Sequence, residues 1–353
     1  MTTGMKKVSA RRLADLPPPP PGKTGWPWTE ESPALPERMP DGAEWPRISI
    51  VTPSLNQDRF LEHSLRSVLL QGYPNLEYIV IDGGSTDDSL AILRKYESFL
   101  DYLVSEPNQG QADALNKGFQ RASGSILAFI NSDDFYLPGA FAQVAAAFRG
   151  ADFLYGGCLI VDQTGDELIE HFGDILRLDD MLDYEKVWRA NREFVQPETF
   201  WSKAISEKTG LFNPKRGSSF CYDYWCRLLI AGAKFQRLDQ PLACFRIQPG
   251  QRSQRQEDDP LAEYLEMAGP WLWDKSAPLD AKRRSELQSE WLYNSKYLPA
   301  WRESVKRNDS SLRRWAGTAL LCALHPRLLG AEAFREKRKK LTLSAVLRKL
   351  RRK

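Results

Sequence analysis

Between Arg47 and Gly150, short apolar runs alternate with segments whose apolar residues recur at helical spacing, and polar residues gather where the runs stop. ISIVTPS (48–54), LEYIVIDGGS (76–85), DYLVS (101–105) and ILAFINS (126–132) are apolar runs of strand length, as expected for strands buried on both faces of a parallel sheet. Between them, Phe60, Leu61, Leu65, Val68 and Leu69 fall on one helical face, and Ala112, Leu115, Phe119 and Ala122 on another. Ser85, Thr86 and Asp87 read as the cap and acidic first turn of a helix, and LPGAFAQVAAAF (137–148) predicts one more. Strand–helix alternation at this rhythm gives right-handed crossovers and an α/β, doubly wound, mainly parallel sheet with helices on both faces.

Beyond Gly150 the rhythm loosens. The pattern predicts a hairpin turning at Gln163 to Gly165, a strand within FVQPETFWS (194–202), and a capped helix ending at Thr209-Gly210. An apolar helix stopping at Gly232 and a strand at PLACFRI (241–247) follow. From about Asp259 to Gly330 the chain reads as helical and Trp-rich. The first 46 residues, with five consecutive prolines at 17–21, read as an irregular leader whose tryptophans can anchor it to the body. The expected division is a Pro-rich leader (1–46), an α/β domain (47–258), a helical extension (259–330) and a basic tail (331–353).

Composition narrows the class. A 353-residue chain with 42% hydrophobic and 27% charged residues can bury a substantial core and is globular in type. No apolar run approaches the ~20 residues of a membrane helix, and the N-terminus lacks an apolar signal core. Five cysteines without a CxxC pair and three scattered histidines (His63, His171, His325) fit a reduced, cytoplasmic compartment without structural zinc. Residues 334–353 hold ten Lys or Arg and one Glu, so a tail of +9 follows a body of −6. That body argues against nucleic-acid binding and leaves the tail as the candidate anionic contact. In it, Leu343, Val346, Leu347 and Leu350 recur at i, i+3, i+4, i+7 among Lys and Arg, which suits an interfacial helix on anionic lipid or a disordered solubilising end. The apolar run Trp315 to Leu324 upstream is open to both readings, membrane contact or core.

Three strand ends deliver polar residues to one rim: Thr52-Pro53-Ser54, Asp82-Gly83-Gly84-Ser85 and Ser132-Asp133-Asp134. Ligands of open α/β sheets bind along that rim. The adjacent carboxylates Asp133 and Asp134 repel unless a cation or proton sits between them; the alternative is a solvated turn that caps the next helix. Neither GxGxxG nor GxxxxGK[ST] is present, so a diphosphate held here would need a divalent cation on carboxylates.

Residues 47 to about 250, some 200 of 353, resemble the inverting nucleotide-sugar glycosyltransferases of the GT-A fold, family 2 type, in the bacterial branch that builds cell-envelope polysaccharides. The strings that carry the resemblance are ISIVTPSLNQDRFLEHSLRSVLLQGYPNLEYIVIDGGSTDDS, GQADALNKGFQRASGSILAFINSDDFYLPGA, FVQPETFW and YDYWCRLL, in that order. It implies transfer of a sugar from a nucleotide-sugar donor to a saccharide or lipid-linked acceptor, with inversion. It also implies roles. Thr52, Pro53 and Asp82 would line the nucleoside pocket, and Asp113 and Asn116 would lie near the ribose or sugar. Ser132, Asp133 and Asp134 would form the DxD-like motif, with Asp134 the direct ligand of Mg²⁺ or Mn²⁺ and Asp133 toward ribose and metal. Arg246 and Arg252, in the FRIQPGQRS loop where the family often has His at the place of Gln248, would face the phosphates. The expected general base is Asp223, with Glu198 as the alternative, because Cys221 stands where the family pattern D-Y-D-L-W-L-R has its first Asp. That departure keeps a catalytically impaired nucleotide-sugar-binding module open beside the enzyme. A nucleotidyltransferase is a further alternative, although TPSLNQDRF lacks its Gly-rich basic loop. Lipid-linked acceptors would place the protein on the inner face of the cytoplasmic membrane, attached peripherally through 334–353.

Overall fold

The protein, here a computed structural model, is described over residues 10–249, 251, 260–331 and 334. The chain divides into two compact units: the described residues of Met1–Leu176 with Arg192–Arg255, and those of Arg177–Asn191 with Gln256–Lys353.

The first unit opens with the expected alternation: β1 (Ile48–Ser54), α1 (Asp58–Leu69), β2 (Leu76–Asp82), α2 (Ser89–Tyr96), β3 (Tyr102–Ser105), α3 (Gln111–Phe119) and β4 (Ile126–Phe129). A two-residue strand β5 (Phe135–Tyr136), α4 (Ala140–Ala147) and the hairpin of β6 (Phe153–Val161) and β7 (Glu167–Phe172) follow. Within the second unit lies the single turn α5 (Leu178–Met181). The first unit resumes with β8 (Thr199–Ser202), α6 (Lys203–Thr209), α7 (Phe220–Ile230) and β9 (Phe235–Arg246).

The strands form one sheet in the order β3-β2-β1-β4-β8-β6-β9-β5, with β7 on β6. The half β3-β2-β1-β4 is wholly parallel, whereas β8 runs antiparallel to both β4 and β6, and β5 antiparallel to β9. This is the GT-A type of α/β architecture, a curled, mostly parallel sheet with helices on both sides.

Alternate residues of the parallel strands bury on opposite faces. Ile48, Ile50, Tyr78, Val80, Ile126 and Ala128 join the core with Leu61, Leu65 and Val68 of α1 and Phe141 and Val144 of α4. Val51 and Ile81 face α3, which approaches so closely that a Cβ on Gly118 would sit 2.4 Å from Val51 Cγ1. Two buried faces explain why these strands read as unbroken apolar runs.

Among its described residues the leader holds one helical turn, Leu13–Asp15, and is fastened to the body. Leu16, Met39 and Trp45 enter the main core. Arg66 of α1, fully buried, donates to the carbonyls of Pro17 (2.8 Å), Pro27 (3.0 Å) and Trp28 (3.0 Å) and to the Tyr96 hydroxyl (3.0 Å). Trp26 Nε1 donates to the carbonyl of Tyr136 (2.9 Å).

The second unit is helical, as its Trp-rich pattern predicts: α5, then α8 (Pro260–Trp273), α9 (Ala281–Leu292), α10 (Leu298–Lys306) and α11 (Ser311–Leu324). Its core gathers Leu292, Tyr293, Tyr297, Leu328, Ala331 and Phe334. Arg283 of α9 pairs with Asp183 and, at 3.6 Å, with Asp179. None of the described helices is long and apolar enough to cross a membrane. The basic tail (331–353) lies, Ala331 and Phe334 apart, outside the described residues.

Candidate functional site

The three strand ends do meet on one rim. Ser54 stands in register with Asp82, and Val51 with Phe129, so the residues after β1, β2 and β4 emerge side by side. The turns behind them are laced together: Asn56 N–H donates to Ser85 Oγ (2.8 Å), Asn56 Oδ1 accepts from Thr86 N–H (2.8 Å), and Gly83 N–H donates to Ser54 O (2.8 Å).

Thr52 and Pro53 are buried just beneath the rim, with Thr52 Oγ1 and Tyr78 Oη 3.0 Å apart. Asp82 is fully buried. Its Oδ2 accepts from Gly84 N–H (3.1 Å), Ser85 N–H (2.9 Å) and Ser105 Oγ (2.6 Å), and its Oδ1 from Ser85 Oγ (2.5 Å). It therefore shapes the glycine turn. Beside that turn Leu55 stands 53% exposed, an apolar patch that the sequence reading passed over.

Asn131 to Asp134 form a turn closed by Asp134 N–H on Asn131 O (3.2 Å). Ser132 is buried in it. The two carboxylates then part company. Asp134 is only 1% exposed: its Oδ1 accepts the backbone N–H of Arg246 (2.9 Å) and its Oδ2 the amide of Asn131 (3.2 Å), which itself accepts from Gln111 (2.6 Å). Asp133 is 9% exposed, takes Gln248 Nε2 on Oδ2 (2.7 Å), and among the described residues receives no hydrogen bond on Oδ1. Burial pushes both carboxyls up, Asp134 well above the ordinary range with the charge of Asp133 adding to it. A cation in front of the pair would relieve that penalty.

Arg246, expected to face phosphates, turns inward. Its Nε donates to Asp133 O (2.9 Å), its Nη1 to the carbonyls of Gln163 (3.1 Å) and Asp162 (3.3 Å), and its Nη2 to His63 Nδ1 (3.2 Å). Buried to 2% exposure, it braces the carboxylate turn from behind. Arg252 lies outside the described residues.

The remaining candidates are also engaged. Asp113, in the first turn of α3, accepts from Gln109 N–H (3.0 Å) and sits 3.6 Å from Lys117 Nζ. Asn116 clamps Phe212, donating to its carbonyl and accepting its N–H, both at 2.9 Å, so its amide is occupied rather than offered to a sugar. Asp223, in the first turn of α7, receives Arg216 Nε on one oxygen (2.9 Å) and Arg227 Nε on the other (3.0 Å). Held by two guanidinium groups, this carboxylate ties α7 to the turn before it. Glu198 is buried, accepts Val195 N–H on Oε1 (3.1 Å), and has no partner for Oε2 among the described residues. Burial holds its carboxyl well above the usual range.

The described residues hold no ready-made cage of three or more His, Cys, Asp or Glu. One carboxylate oxygen without a hydrogen bond among the described residues, beside a neutral amide, still fits a divalent ion whose other ligands are water and a bound ligand's own oxygens.

The sheet order and the rim at its strand ends are those of a GT-A-type α/β domain. Residues 49–204 match the model of Glycosyl transferase family 2, and over that stretch the resemblance read from the sequence holds. The putative teichuronic acid biosynthesis glycosyltransferase TuaG of Bacillus subtilis is 33% identical over 144 residues, 39% of this chain and 57% of TuaG. The GalNAc(5)-diNAcBac-PP-undecaprenol beta-1,3-glucosyltransferase of Campylobacter jejuni is 32% identical over 120 residues, 33% of this chain and 39% of that one. Among solved structures, the mannosyltransferase PcManGT of Pyrobaculum calidifontis in complex with GDP-Man and Mn²⁺ superposes with a TM-score of 0.52 at 16% identity, covering 86% of this chain and 87% of that one. The fold is therefore shared, while the chain spans from about a third to under three fifths of the curated relatives it matches.

Proposed function

We propose that the protein is a glycosyltransferase that moves a sugar from a nucleoside-diphosphate donor to a saccharide or lipid-linked acceptor, with inversion at the anomeric carbon. The observation that carries this reading is the rim itself, where the glycine turn of Asp82, exposed Leu55 and a half-open carboxylate at Asp133 stand side by side. The relatives support it by name, one assigned to teichuronic acid biosynthesis and one to an undecaprenol-linked acceptor; this favours cell-envelope polysaccharide as the product class.

In this reading the base stacks against Leu55 and the Asp82 turn, and the diphosphate lies over the turn at 131–134. Asp133 rather than Asp134 holds a Mg²⁺ or Mn²⁺ ion, because the oxygens of Asp134 are taken by Arg246 and Asn131. Such an ion supplies Lewis-acid neutralisation of charge on the departing nucleotide. Gln248 orients Asp133 through its Oδ2, and Arg246 fixes the turn from below. For the acceptor's proton we assign Glu198 ahead of Asp223, since of the two Glu198 alone keeps a carboxyl oxygen without a partner among the described residues. Attachment to an anionic membrane through residues 334–353 belongs to the same proposal.

Titration calorimetry with UDP and GDP, with and without Mn²⁺, tests the site. Asp133→Asn should weaken metal-dependent binding at least tenfold, while Asp134→Asn should act mainly on stability. Binding indifferent to both EDTA and Asp133→Asn would refute the assignment. A second reading, a nucleotide-sugar-binding module without turnover, is favoured by Cys221 in place of the family's Asp and by the doubly paired Asp223. Metal-dependent release of nucleoside diphosphate from the donor decides for the enzyme.

A further inference from the structure

The helix α11 is built the wrong way round for a helix in water. Its inner side carries Leu321 and Cys322, packed on the core of Leu292, Tyr297, Leu328 and Phe334, together with polar Arg314 and Thr318. Its outer side consists of Trp315, Ala316, Ala319, Leu320, Ala323 and Leu324, all exposed, with Trp315 at 40%, Leu320 at 61% and Leu324 at 65%. Positions 315, 319 and 323 and positions 316, 320 and 324 each advance by one turn, so these six residues form one continuous stripe. Leu329, 44% exposed, follows just beyond the helix. The apolar stripe that a surface helix normally turns inward is here presented to solvent.

We infer that this outer face of α11 docks on the surface of an anionic lipid bilayer. Charge selects the occupant. From Ser310 to Ala331 the chain holds Arg313, Arg314 and Arg327 and no acidic residue, and ten further Lys or Arg follow in 335–353. A second copy of the chain would bring the same positive flank against itself, whereas anionic headgroups neutralise it. Trp315 supplies an amphipathic ring of the kind that settles at the headgroup level. A helix of 14 residues reaches about 21 Å at 1.5 Å per residue, short of the ~30 Å hydrocarbon layer, so it lies on the membrane rather than through it.

The inference adds a second surface to the membrane attachment proposed above through 334–353 and does not depend on sugar transfer. Its test is co-sedimentation of the full chain with vesicles of phosphatidylcholine alone or mixed with phosphatidylglycerol. The double variant Leu320→Glu/Leu324→Glu changes two exposed side chains, so the helix content read by circular dichroism should be unchanged. Its partitioning onto the mixed vesicles should fall at least tenfold. Arg313→Glu/Arg327→Glu should weaken binding to mixed vesicles and leave binding to neutral ones unaltered. Equal pelleting of wild type and the leucine variant would overturn the inference. So would light scattering that shows a wild-type dimer and a monomeric leucine variant with undiminished vesicle binding, since the stripe would then belong to a second copy. Donor hydrolysis in vesicle-free solution should be the same for all three proteins. Loss of vesicle binding with intact hydrolysis therefore separates this surface from the transfer site.

Discussion

His63 should make the protein lose about 2 kcal/mol of stability between pH 7 and pH 5. Its ring stacks on Phe135 at 4.1 Å and lies 5.3 Å from Trp28; Nδ1 accepts from Arg246 Nη2, and Nε2 is buried with no partner among the described residues. Burial first, then the charges of Arg246 and Lys23, push its pKa down to about 3 from the ordinary 6.5. The sign follows from a depressed base. Above 6.5 neither state is protonated and the full stability is present; below it the unfolded chain takes up a proton that the folded one refuses. At pH 5 the unfolded imidazole is protonated about 30 to 1, and RT ln of that ratio is about 2 kcal/mol. The raised carboxyls of Asp133, Asp134 and Glu198 act in the opposite sense, since the folded state holds their protons more tightly, so the wild-type slope alone does not isolate the histidine. His63→Asn removes the titration and keeps an oxygen acceptor for Arg246. Urea unfolding at pH 7, 6 and 5 should show the variant less stable throughout but losing about 2 kcal/mol less than wild type over that interval. Parallel pH dependences in the two proteins would refute the argument.

Arg66→Met should destabilise the protein by about 3–5 kcal/mol in urea unfolding, because three buried leader carbonyls and Tyr96 lose a charged donor; an effect under about 1 kcal/mol would mean the leader is held by its tryptophans instead. Glu198→Gln should remove sugar transfer by about 100-fold or more while leaving donor affinity unchanged in calorimetry. Asp223→Asn should lower stability by about 1–3 kcal/mol through its two guanidinium partners and spare turnover of the remaining folded protein. Lost turnover at unchanged stability would return the base to Asp223.

β1, β2 and β4 of the parallel half were legible because they are buried on both faces and the helices on one, so hydrophobic period separates them, whereas β3 at the sheet's end is only partly buried. The other half was legible in part: the hairpin of β6 and β7 showed in its turn at 163–165, while the bounds of β8 and β9 did not. β9 begins at Phe235, six residues before the apolar run at 241, because its first half is a partly exposed stretch rich in polar residues. FVQPETFWS gave only four strand residues, since Pro197 cannot donate to a ladder and the chain turns through Gln196–Glu198 first. The anchoring of the leader was equally hidden. An arginine inside a helix reads as solvated, and only the folded chain brings three carbonyls from 17–28 around Arg66.

The one strand left unseen also explains the reassignment at the site. Two adjacent carboxylates on an apolar strand's end look interchangeable in a sequence. The turn at Asn131–Asp134, however, leads straight into β5, and β5 pairs with β9 through Phe135 and Cys244. That pairing sets Asp134 opposite the next residues of β9, where the Arg246 N–H reaches its Oδ1, and leaves Asp133 at the tip of the turn. A two-residue strand is too short to announce itself by alternation, yet it decides which carboxylate is spent on the fold and which remains open to a ligand. The same pairing places Gln248, two residues past the end of β9, where its Nε2 donates to Asp133 Oδ2 at 2.7 Å. Which of the two carboxylates keeps an oxygen without a hydrogen bond among the described residues is thus a consequence of register.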